Sequence, residues 1–334
     1  MAFADDPDSY LLLLLSDGNL PTGSFVSSSG LESYFKHGFP HVAANPATPA
    51  PNAKPPTQMD TTIIFVRDSL PSYARLSLPF VTDAYLAVQG FRDADSPSQT
   101  EAALQRLQDL DQLFEVMTLN HVAKRASRAQ GVALLTLHSK GFSRPPWLDP
   151  LFEGVTLGED QLLDGVSHAS GQISLDVLVD AFKLLIRKGD TQGHLPICWG
   201  ILTGALQLSL GWLFPPPPQA LRSNTPPERS QFLFLFLYAR SLLSAAIRLN
   251  SIGPYAAQQV LLHVVRPMVD GAMRAHSHLR TGSATARAPS SQQSNTDPEE
   301  RWRRLEEDGP ATTWPLGEIL SARHDLQHSK IFNS

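Results

Sequence analysis

The chain has 334 residues, with 27 Lys and Arg against 32 Asp and Glu, which gives a formal net charge of -5. A nucleic-acid-binding protein needs a basic face for phosphate recognition, and no dense stripe of Lys and Arg occurs, so this class is excluded. Charged residues make up 18% of the chain, below the ~25% that is usual, whereas 27 residues are proline. This composition indicates an apolar core interrupted by proline-rich polar segments.

The cysteine content and the N-terminus bear on the cellular compartment. Cys198 is the single cysteine, which excludes an internal disulfide and a multi-cysteine zinc site and is typical of a reducing compartment. The run Leu11 to Leu15 follows acidic residues, without the basic start of a signal peptide. We therefore expect a cytoplasmic protein.

Two proline- and serine-rich segments divide the helical stretches. They run from Pro40 to Gln58 and from Arg280 to Thr296, and their composition predicts disordered inserts. Shorter breaks fall at Ser143 to Pro150 and at Pro215 to Pro227, where consecutive prolines end any helix. We predict one helical domain over residues 1–334, interrupted by these inserts.

Apolar residues in the remaining stretches recur every three or four positions, which predicts helices. Capping signals mark three helix starts, at Ser98 to Glu101, Thr225 to Glu228 and Asp297 to Glu300. The apolar stripes contain Leu104, Leu107, Leu110, Phe114 and Met117; Leu235, Tyr238, Leu242, Ala246 and Leu249; and Ala257, Leu261, Val264, Met268 and Ala272. Gly253-Pro254 separates the last two stripes, which predicts an antiparallel hairpin. The fold class is all-α, a helical bundle.

The segment from Leu195 to Phe214 carries no charge over 20 residues and contains the spacing Gly200-xxx-Gly204. Both features are compatible with a transmembrane helix. Thr203, Gln207 and Ser209 reduce its hydrophobicity, so we favour a helix buried on all sides in a bundle. No membrane span is predicted for Phe232 to Tyr238, which is too short.

The sequence contains no motif of a catalytic site. There is no phosphate-binding Gly-Lys-Ser/Thr loop, and Gly23 to Gly30 does not match a Gly-x-Ser-x-Gly nucleophile turn. The apolar surroundings of Cys198 predict an unreactive thiol. We therefore expect no catalytic residue. A scaffold that presents helical faces to other proteins and an enzyme whose site is assembled from distant residues both stay open, and the apolar composition favours the scaffold.

Histidines and arginines are the remaining candidates for a metal-binding or partner-binding site. His324 and His328 have the i, i+4 spacing of a shared metal site, but no third ligand is near in sequence, so no metal site is predicted. Arg240 and Arg248 lie eight residues apart on one predicted helix, where they face either a partner protein or a neighbouring helix.

The N-terminal segment resembles that of the urease accessory protein UreF family. The resemblance is carried by Leu20-Pro21-Thr22-Gly23-Ser24-Phe25 and Ser29-Gly30-Leu31-Glu32. Further blocks follow in the order of the family: Leu78-Pro79 with Asp83-Ala84; Arg125-Ala126-Ser127 with Gly131; Gly193-His194-Leu195-Pro196; Ser244 to Leu249 with Gly253; and the terminal Ser321-Ala322-Arg323-His324 through Gln327 to Phe332.

This resemblance implies a non-catalytic, all-α homodimer that binds UreD (UreH). The pair recruits the GTPase UreG for nickel delivery into apo-urease, so nickel and GTP belong to the complex and the chain needs no cofactor of its own. The tail from Ser321 to Ser334 is then expected to order against UreD. The residues that the resemblance assigns to partner binding are Glu32, Arg248, Gln258, Arg323, His324, Gln327 and Phe332.

Two further hypotheses concern mechanism. In the first, the protein activates GTP hydrolysis by UreG and uses Arg248 as an arginine finger. In the second, histidine pairs relay nickel directly.

Overall fold

The computed structural model describes residues 7–17, 20, 27–37, 56–92, 97–142, 175–206, 208, 228–282 and 309–333. Within these ranges all regular structure is helical, as the periodicity predicts. The helices are α1 (Pro7–Leu15), α2 (Leu31–Lys36), α3 (Gln58–Arg92), α4 (Pro97–Met117), α5 (His121–Leu137), α6 (175–188), α7 (Leu195–Ala205), α8 (Glu228–Arg248), α9 (Pro254–Val260), α10 (Arg266–His276) and α11 (Pro315–Ala322). A π turn, His138–Phe142, extends α5; another, Leu261–Val265, joins α9 to α10; and the 3₁₀ turn Arg323–Leu326 follows α11.

Helix α3 is central and packs against α4, α7, α8 and α10. It begins with a reciprocal capping box, in which the Thr57 N–H donates to Asp60 Oδ2 at 3.0 Å and the Asp60 N–H donates to Thr57 Oγ1 at 3.1 Å. The predicted disordered insert from Pro40 to Gln58 therefore extends too far, because Thr57 caps the helix and Gln58 is already helical. Residues 40–55 lie outside the described part of the chain.

The second predicted insert was wrong at its start. Thr281 donates to Asp83 Oδ2 through its N–H at 3.0 Å and through its hydroxyl at 2.5 Å, and Arg280 Nε lies 2.9 Å from Asp83 Oδ1. Asp83 is fully buried on α3, so its charge requires these donors. The chain is thereby attached to α3 as far as Thr281. Residues 283–296 and the predicted helix start at Asp297 lie outside the described residues.

The region from 97 to 137 forms two helices separated by a short break. Helix α4 begins at Pro97, so Ser98 is inside the helix, and the prediction that it marks the start was wrong. The cause is Pro97, whose restricted φ suits the first helical position. Asn120 caps α5 by accepting the N–H groups of Val122 and Ala123 at 3.0 and 3.2 Å.

The uncharged segment is a buried core helix, as predicted, but it is shorter than expected. Residues Pro196 to Ala205 are all buried, and α7 ends at Ala205 after 11 residues. The two glycines let α7 approach α3 closely, since a Cβ on Gly200 would lie 2.6 Å from Val81 O and one on Gly204 would lie 3.0 Å from Val88 Cβ. The Gly-xxx-Gly spacing therefore serves packing within this bundle.

The predicted hairpin is confirmed. Helix α8 packs against α9, the π turn and α10, and Leu235, Ala246, Ala257 and Ala272 of the two apolar stripes are buried. Among the described residues, 229–248 of α8 form the one helical stretch long and apolar enough to cross a membrane. Of its apolar window, 56% is buried, and a buried core helix meets the same criteria.

Candidate functional site

Asp111 on α4 holds the loop that leads into α7. Its Oδ2 accepts hydrogen bonds from Thr191 Oγ1 at 2.6 Å and from the N–H groups of Gln192 and Gly193 at 2.6 and 2.9 Å. Its Oδ1 accepts the His194 N–H at 2.7 Å. The carboxylate is fully buried, and the four donors compensate for its loss of hydration. This contact sets the start of α7 relative to α4.

His194 continues the connection towards α5. Its Nε2 lies 2.8 Å from Glu115 Oε2 and its Nδ1 lies 3.3 Å from Ser127 Oγ, while Ser127 Oγ accepts the Leu195 N–H at 3.0 Å. The Ser127 hydroxyl is therefore placed to donate to Nδ1, which puts the ring proton on Nε2, facing the carboxylate. Burial lowers the pKa of His194, against the opposing charges of Asp111 and Glu115, so the neutral ring is favoured.

Glu115 completes this network on α4. It also pairs with Lys124 Nζ at 3.0 Å and Arg128 Nη2 at 2.6 Å. Burial acts to raise its pKa, but hydrogen bonds from Arg128, Lys124 and His194 outweigh burial and lower the pKa to about 2. A general acid or base works best with a pKa near the operating pH. Glu115 stays ionised and is saturated with donors, so this network joins helices and is unsuited to acid–base chemistry.

A second cluster, which we call the tail site, forms where residues 323–333 pack against α2, α5 and α8. Its buried anchor is Glu32 on α2, which is 0% exposed. The Glu32 carboxylate accepts the N–H groups of Ile331 at 2.9 Å and Phe332 at 3.3 Å, and pairs with Lys36 Nζ at 3.0 Å. A side chain near the N-terminus thus binds the backbone near the C-terminus.

Asp325 attaches the tail to α5. Arg125 donates to both of its carboxylate oxygens, at 3.0 and 2.9 Å, and also to Asn333 O at 3.0 Å. His121 Nε2 lies 3.2 Å from Asp325 and Lys330 Nζ lies 3.7 Å from it. The hydrogen bonds from Arg125, opposed by slight burial, hold the pKa of the Asp325 carboxyl well below its usual range. The bidentate geometry fixes the direction of the tail on α5.

Phe332 is the buried apolar residue of the tail, 2% exposed. The Arg248 guanidinium of α8 lies over its ring, with Cζ 4.7 Å from the centroid. His324 Nε2 donates to Phe332 O at 3.1 Å, and Gln327 Nε2 donates to Ser33 Oγ on α2. The tail is thus secured by one apolar side chain and by hydrogen bonds on both sides of it.

The structure brings together most of the residues assigned to partner binding. Glu32, Arg248, His324, Gln327 and Phe332 lie at the tail site. Two others are exposed, Arg323 at the start of the tail and Gln258 on α9. The tail was expected to order against a partner, whereas here it is already seated on its own chain. Glu32 of α2 and His324 of the tail are both buried where the two segments meet.

The histidines do not form the pair that their spacing allows. The helix ends in a 3₁₀ turn before Gln327, so His324 points inward and is buried whereas His328 is exposed. His276 and His278 lie at the end of α10. Among the described residues no group of three or more His, Cys, Asp or Glu side chains could hold a metal ion. The Cys198 thiol is buried, and burial raises its pKa well above the usual value, as predicted.

Sequence reasoning missed Asp325, Arg125 and Ser33 as members of the tail site. The first two are about 200 residues apart in the chain, and no periodicity connects such a pair. A partial signal was present, because Arg125 begins one of the motif blocks of the UreF resemblance.

Exposed apolar side chains surround the tail site. They are Leu119 at 87% exposure, Leu326 at 73%, Ile331 at 60% and Ile319 at 56%. Asn120 Nδ2 donates to Glu318 O at 2.9 Å, which places Leu119 next to α11. Apolar side chains grouped around an ordered polar cluster are typical of a protein–protein interface.

Comparisons with known proteins agree with this description. The UreF family model matches residues 57–212 and 220–265. Urease accessory protein 6 of Cryptococcus neoformans is 39% identical, over 97% of this chain and 96% of its own length. A UreF-like urease accessory protein of Schizosaccharomyces pombe is 26% identical over 98% and 97%, and urease accessory protein F of Arabidopsis thaliana is 26% identical over 82% of both chains. The chain therefore belongs to the UreF family, whose members are urease accessory proteins and not enzymes themselves.

Proposed function

We propose that this chain is a cytoplasmic scaffold of urease maturation. With UreD (UreH) it recruits the GTPase UreG, and the assembly delivers nickel into apo-urease. Nickel is the cargo and GTP is bound by UreG, so the chain holds no cofactor of its own. The observation that carries the proposal is the tail site, where an ordered segment lies among exposed apolar side chains.

The tail site suits a protein partner because its backbone is already ordered. The contacts of Glu32, Arg125 and Arg248 fix residues 323–333, so a partner does not have to pay the full entropy cost of ordering them. Leu119 and Leu326 offer apolar area for burial. We assign this surface to UreD.

Co-purification from cells tests this assignment. Deletion of residues 321–334 is expected to abolish recovery of UreD and, as a result, of UreG. Leu326→Asp tests the surface without removing the tail, since its side chain is 73% exposed and its loss should not unfold the protein. The matched control is Val177→Asp on α6, a position of similar exposure at 57%. Full recovery of UreD with Leu326→Asp and with the deletion would contradict the proposal.

We further propose that a second copy of the chain covers an exposed face formed by α9 and the π turn that follows it. Tyr255 is 88% exposed and Leu262 is 59% exposed, seven residues apart on one side, with Gln258 and Gln259 between them. No charged residue occurs from Pro254 to Leu262, which suits a self-complementary interface because like charges would otherwise meet at the two-fold axis.

Light scattering on the purified protein tests the dimer. Tyr255→Glu combined with Leu262→Glu is expected to yield monomers, whereas Val177→Glu on α6 should leave the dimer intact. A monomeric wild-type protein, or a dimer that survives the double change, would contradict this interface.

GTPase activation through Arg248 stays a separate prediction. Arg248 lies against Phe332, so it would reach a nucleotide on UreG only after the tail moves. If the prediction holds, Arg248→Ala slows GTP turnover in the assembled complex without loss of assembly. Loss of assembly instead would assign Arg248 to tail packing.

A further inference from the structure

A cavity of about 480 Å³ lies among α1, α3, α4, α5, α7, α8 and α11. This volume is within the range of small-molecule sites, roughly 300–1,000 Å³. The cavity shares Arg248 with the tail site, but the exposed apolar residues assigned to a partner, such as Leu119 and Leu326, do not line it. Its lining combines cationic, aromatic and apolar side chains, which limits the kind of molecule it would take.

The part of the lining that α8 contributes with its last two turns is cationic and rich in hydroxyl groups. Arg240, Ser241, Ser244 and Arg248 line the cavity from a single face of α8, where the two arginines are two turns apart, about 12 Å along the helix. Arg240 donates through Nη1 to Ser16 O, and Arg248 donates to Ser244 Oγ and lies over Phe332. A guanidinium has five N–H donors, so these contacts do not use all of them. Further hydroxyl groups of the lining include those of Ser27, Ser29 and Ser321.

Aromatic side chains of α3 and α8 form another part of the lining. The rings of Tyr73 and Tyr238 are stacked, with centroids 3.8 Å apart and planes at 8°, and Phe234 stacks on Tyr73 at 5.3 Å and 12°. Burial raises the pKa of Tyr238 to about 12 and also raises that of Tyr73, so both phenols stay neutral. Such a wall favours a flat apolar body.

A third part of the lining is apolar, and it includes one buried polar group without a hydrogen-bond partner in the described structure. Phe114, Val122, Leu134 and Leu195 form it, together with Thr118. Thr118 is 6% exposed, and its buried hydroxyl has no hydrogen-bond partner in the described structure. Buried polar groups are normally satisfied, so an unpartnered hydroxyl in a cavity wall indicates a place for a ligand atom or water.

The guanidinium and hydroxyl groups of the cavity favour an anion. Its two carboxyl groups are Asp17, which is exposed at the edge, and Glu318, whose pKa is raised by burial against a hydrogen bond with Asn120. The described lining residues include no histidine or cysteine, the soft donors that transition metals prefer. Hydroxyl and guanidinium groups instead bind carboxylates, sulfonates and phosphates.

We propose that this cavity is a binding site for a small organic anion with a flat aromatic body. The acidic group lies at Arg240 and Arg248, and the ring lies against Tyr73 and Tyr238. This site goes beyond the scaffold role and does not depend on it, since ligand binding is measured on the purified chain alone.

Two fluorescent probes with similar bodies test the proposal on the full-length protein. 8-Anilinonaphthalene-1-sulfonate carries the anionic group, and N-phenyl-1-naphthylamine lacks it. Arg240→Gln is expected to weaken binding of the sulfonate by about tenfold or more and to change binding of the neutral probe less than about twofold. Ser241→Phe, which fills the cavity, is expected to abolish saturable binding of both probes.

The matched control is Arg187→Gln, an exposed arginine of α6 that does not line the cavity and is expected to leave both affinities unchanged. Thermal unfolding followed by circular dichroism identifies variants that have lost the fold, and the two Arg→Gln variants are both expected to keep it. Sulfonate binding that is absent, unaffected by Arg240→Gln or retained in a folded Ser241→Phe protein would overturn the proposal.

Discussion

The carboxylate of Glu32 accepts the backbone N–H of Ile331 at 2.9 Å, although the two residues are 299 positions apart. Its second oxygen accepts the N–H of Phe332 at 3.3 Å. A buried carboxylate that accepts two consecutive N–H groups sets the register of the tail. The tail site is therefore part of the folded chain before any partner arrives.

Glu32→Gln tests this anchor. The glutamine side chain has one oxygen and one NH₂ group, so it can accept from only one of the two N–H groups of Ile331 and Phe332. The other N–H group then faces a donor, and the tail should detach more often. We expect hydrogen exchange at Ile331 and Phe332 to accelerate by about tenfold to a hundredfold, since a hydrogen bond to a charged group contributes about 1.5–3 kcal/mol. Glu101→Gln on the exposed start of α4 is the control. Unchanged exchange in a folded Glu32→Gln protein would show that the tail is held by other contacts.

Asp111→Asn is expected to destabilise the whole fold. Asn offers one acceptor oxygen where the four donors of residues 191–194 need two, and at least one donor is left unsatisfied in a buried place. We expect a loss of about 3 kcal/mol in the free energy of unfolding, measured by urea denaturation. Asp109→Asn, two residues away and exposed, should change the free energy by less than about 0.5 kcal/mol. Equal effects of the two changes would remove the structural role given to Asp111.

Two glycines form a matched pair for a test of helix packing. A Cβ at Gly131 on α5 would lie 2.2 Å from Gly193 O and 2.9 Å from His194 C, whereas one at Gly90 on α3 would meet nothing within 4 Å. Gly131→Ala must therefore separate α5 from α7 and is expected to cost about 3 kcal/mol. Gly90→Ala should instead stabilise the protein by about 0.5–1 kcal/mol, because alanine is the better helix former. Thermal and urea unfolding of both variants measures the difference, and a neutral Gly131→Ala would contradict the close approach.

Stability is expected to fall in acid in two stages. The pKa of His194 is lowered from 6.5 by burial, so the unfolded chain takes up the proton first, and stability is lost as pH falls below about 6.5. The pKa of Glu115 is lowered from 4.5 to about 2, so its contribution is present above about 4.5 and is lost between about pH 4.5 and 2. His138 and His324, whose pKa values burial also lowers, add to the first stage.

Urea denaturation between pH 7.5 and 3 measures both stages. Glu115→Gln should lower the free energy of unfolding at neutral pH. Below about pH 4.5 the free energy of unfolding of this variant should fall less steeply than that of the wild-type protein, while the decrease near pH 6 is retained. If the free energy of unfolding of this variant falls with pH below about 4.5 as steeply as that of the wild-type protein, Glu115 does not cause the second stage.

The helices could be predicted because their cause is local. Stripes such as Leu235, Leu242 and Ala246 fix one face of a helix by their spacing alone, and the burial of α7 follows from its lack of charge. The ordered motif blocks likewise identified the UreF family, since they require only the order of short segments. The start of α3 could also be predicted, because Thr57 and Asp60 have the spacing of a capping box. The surrounding prolines instead favoured a disordered insert.

The contacts of the candidate site depended on the folded arrangement. Sequence resemblance placed Glu32 among residues that touch a partner, yet whether a carboxylate faces solvent or binds Phe332 depends on where α2 meets the tail. The same is true of Asp111 and His194, whose hydrogen-bond partners lie in other segments of the chain. Spacing along the chain decides which face of a helix is apolar, because that is set by the 3.6-residue turn. Only the packing of distant segments decides which buried polar groups meet, because each requires a partner that local sequence does not supply.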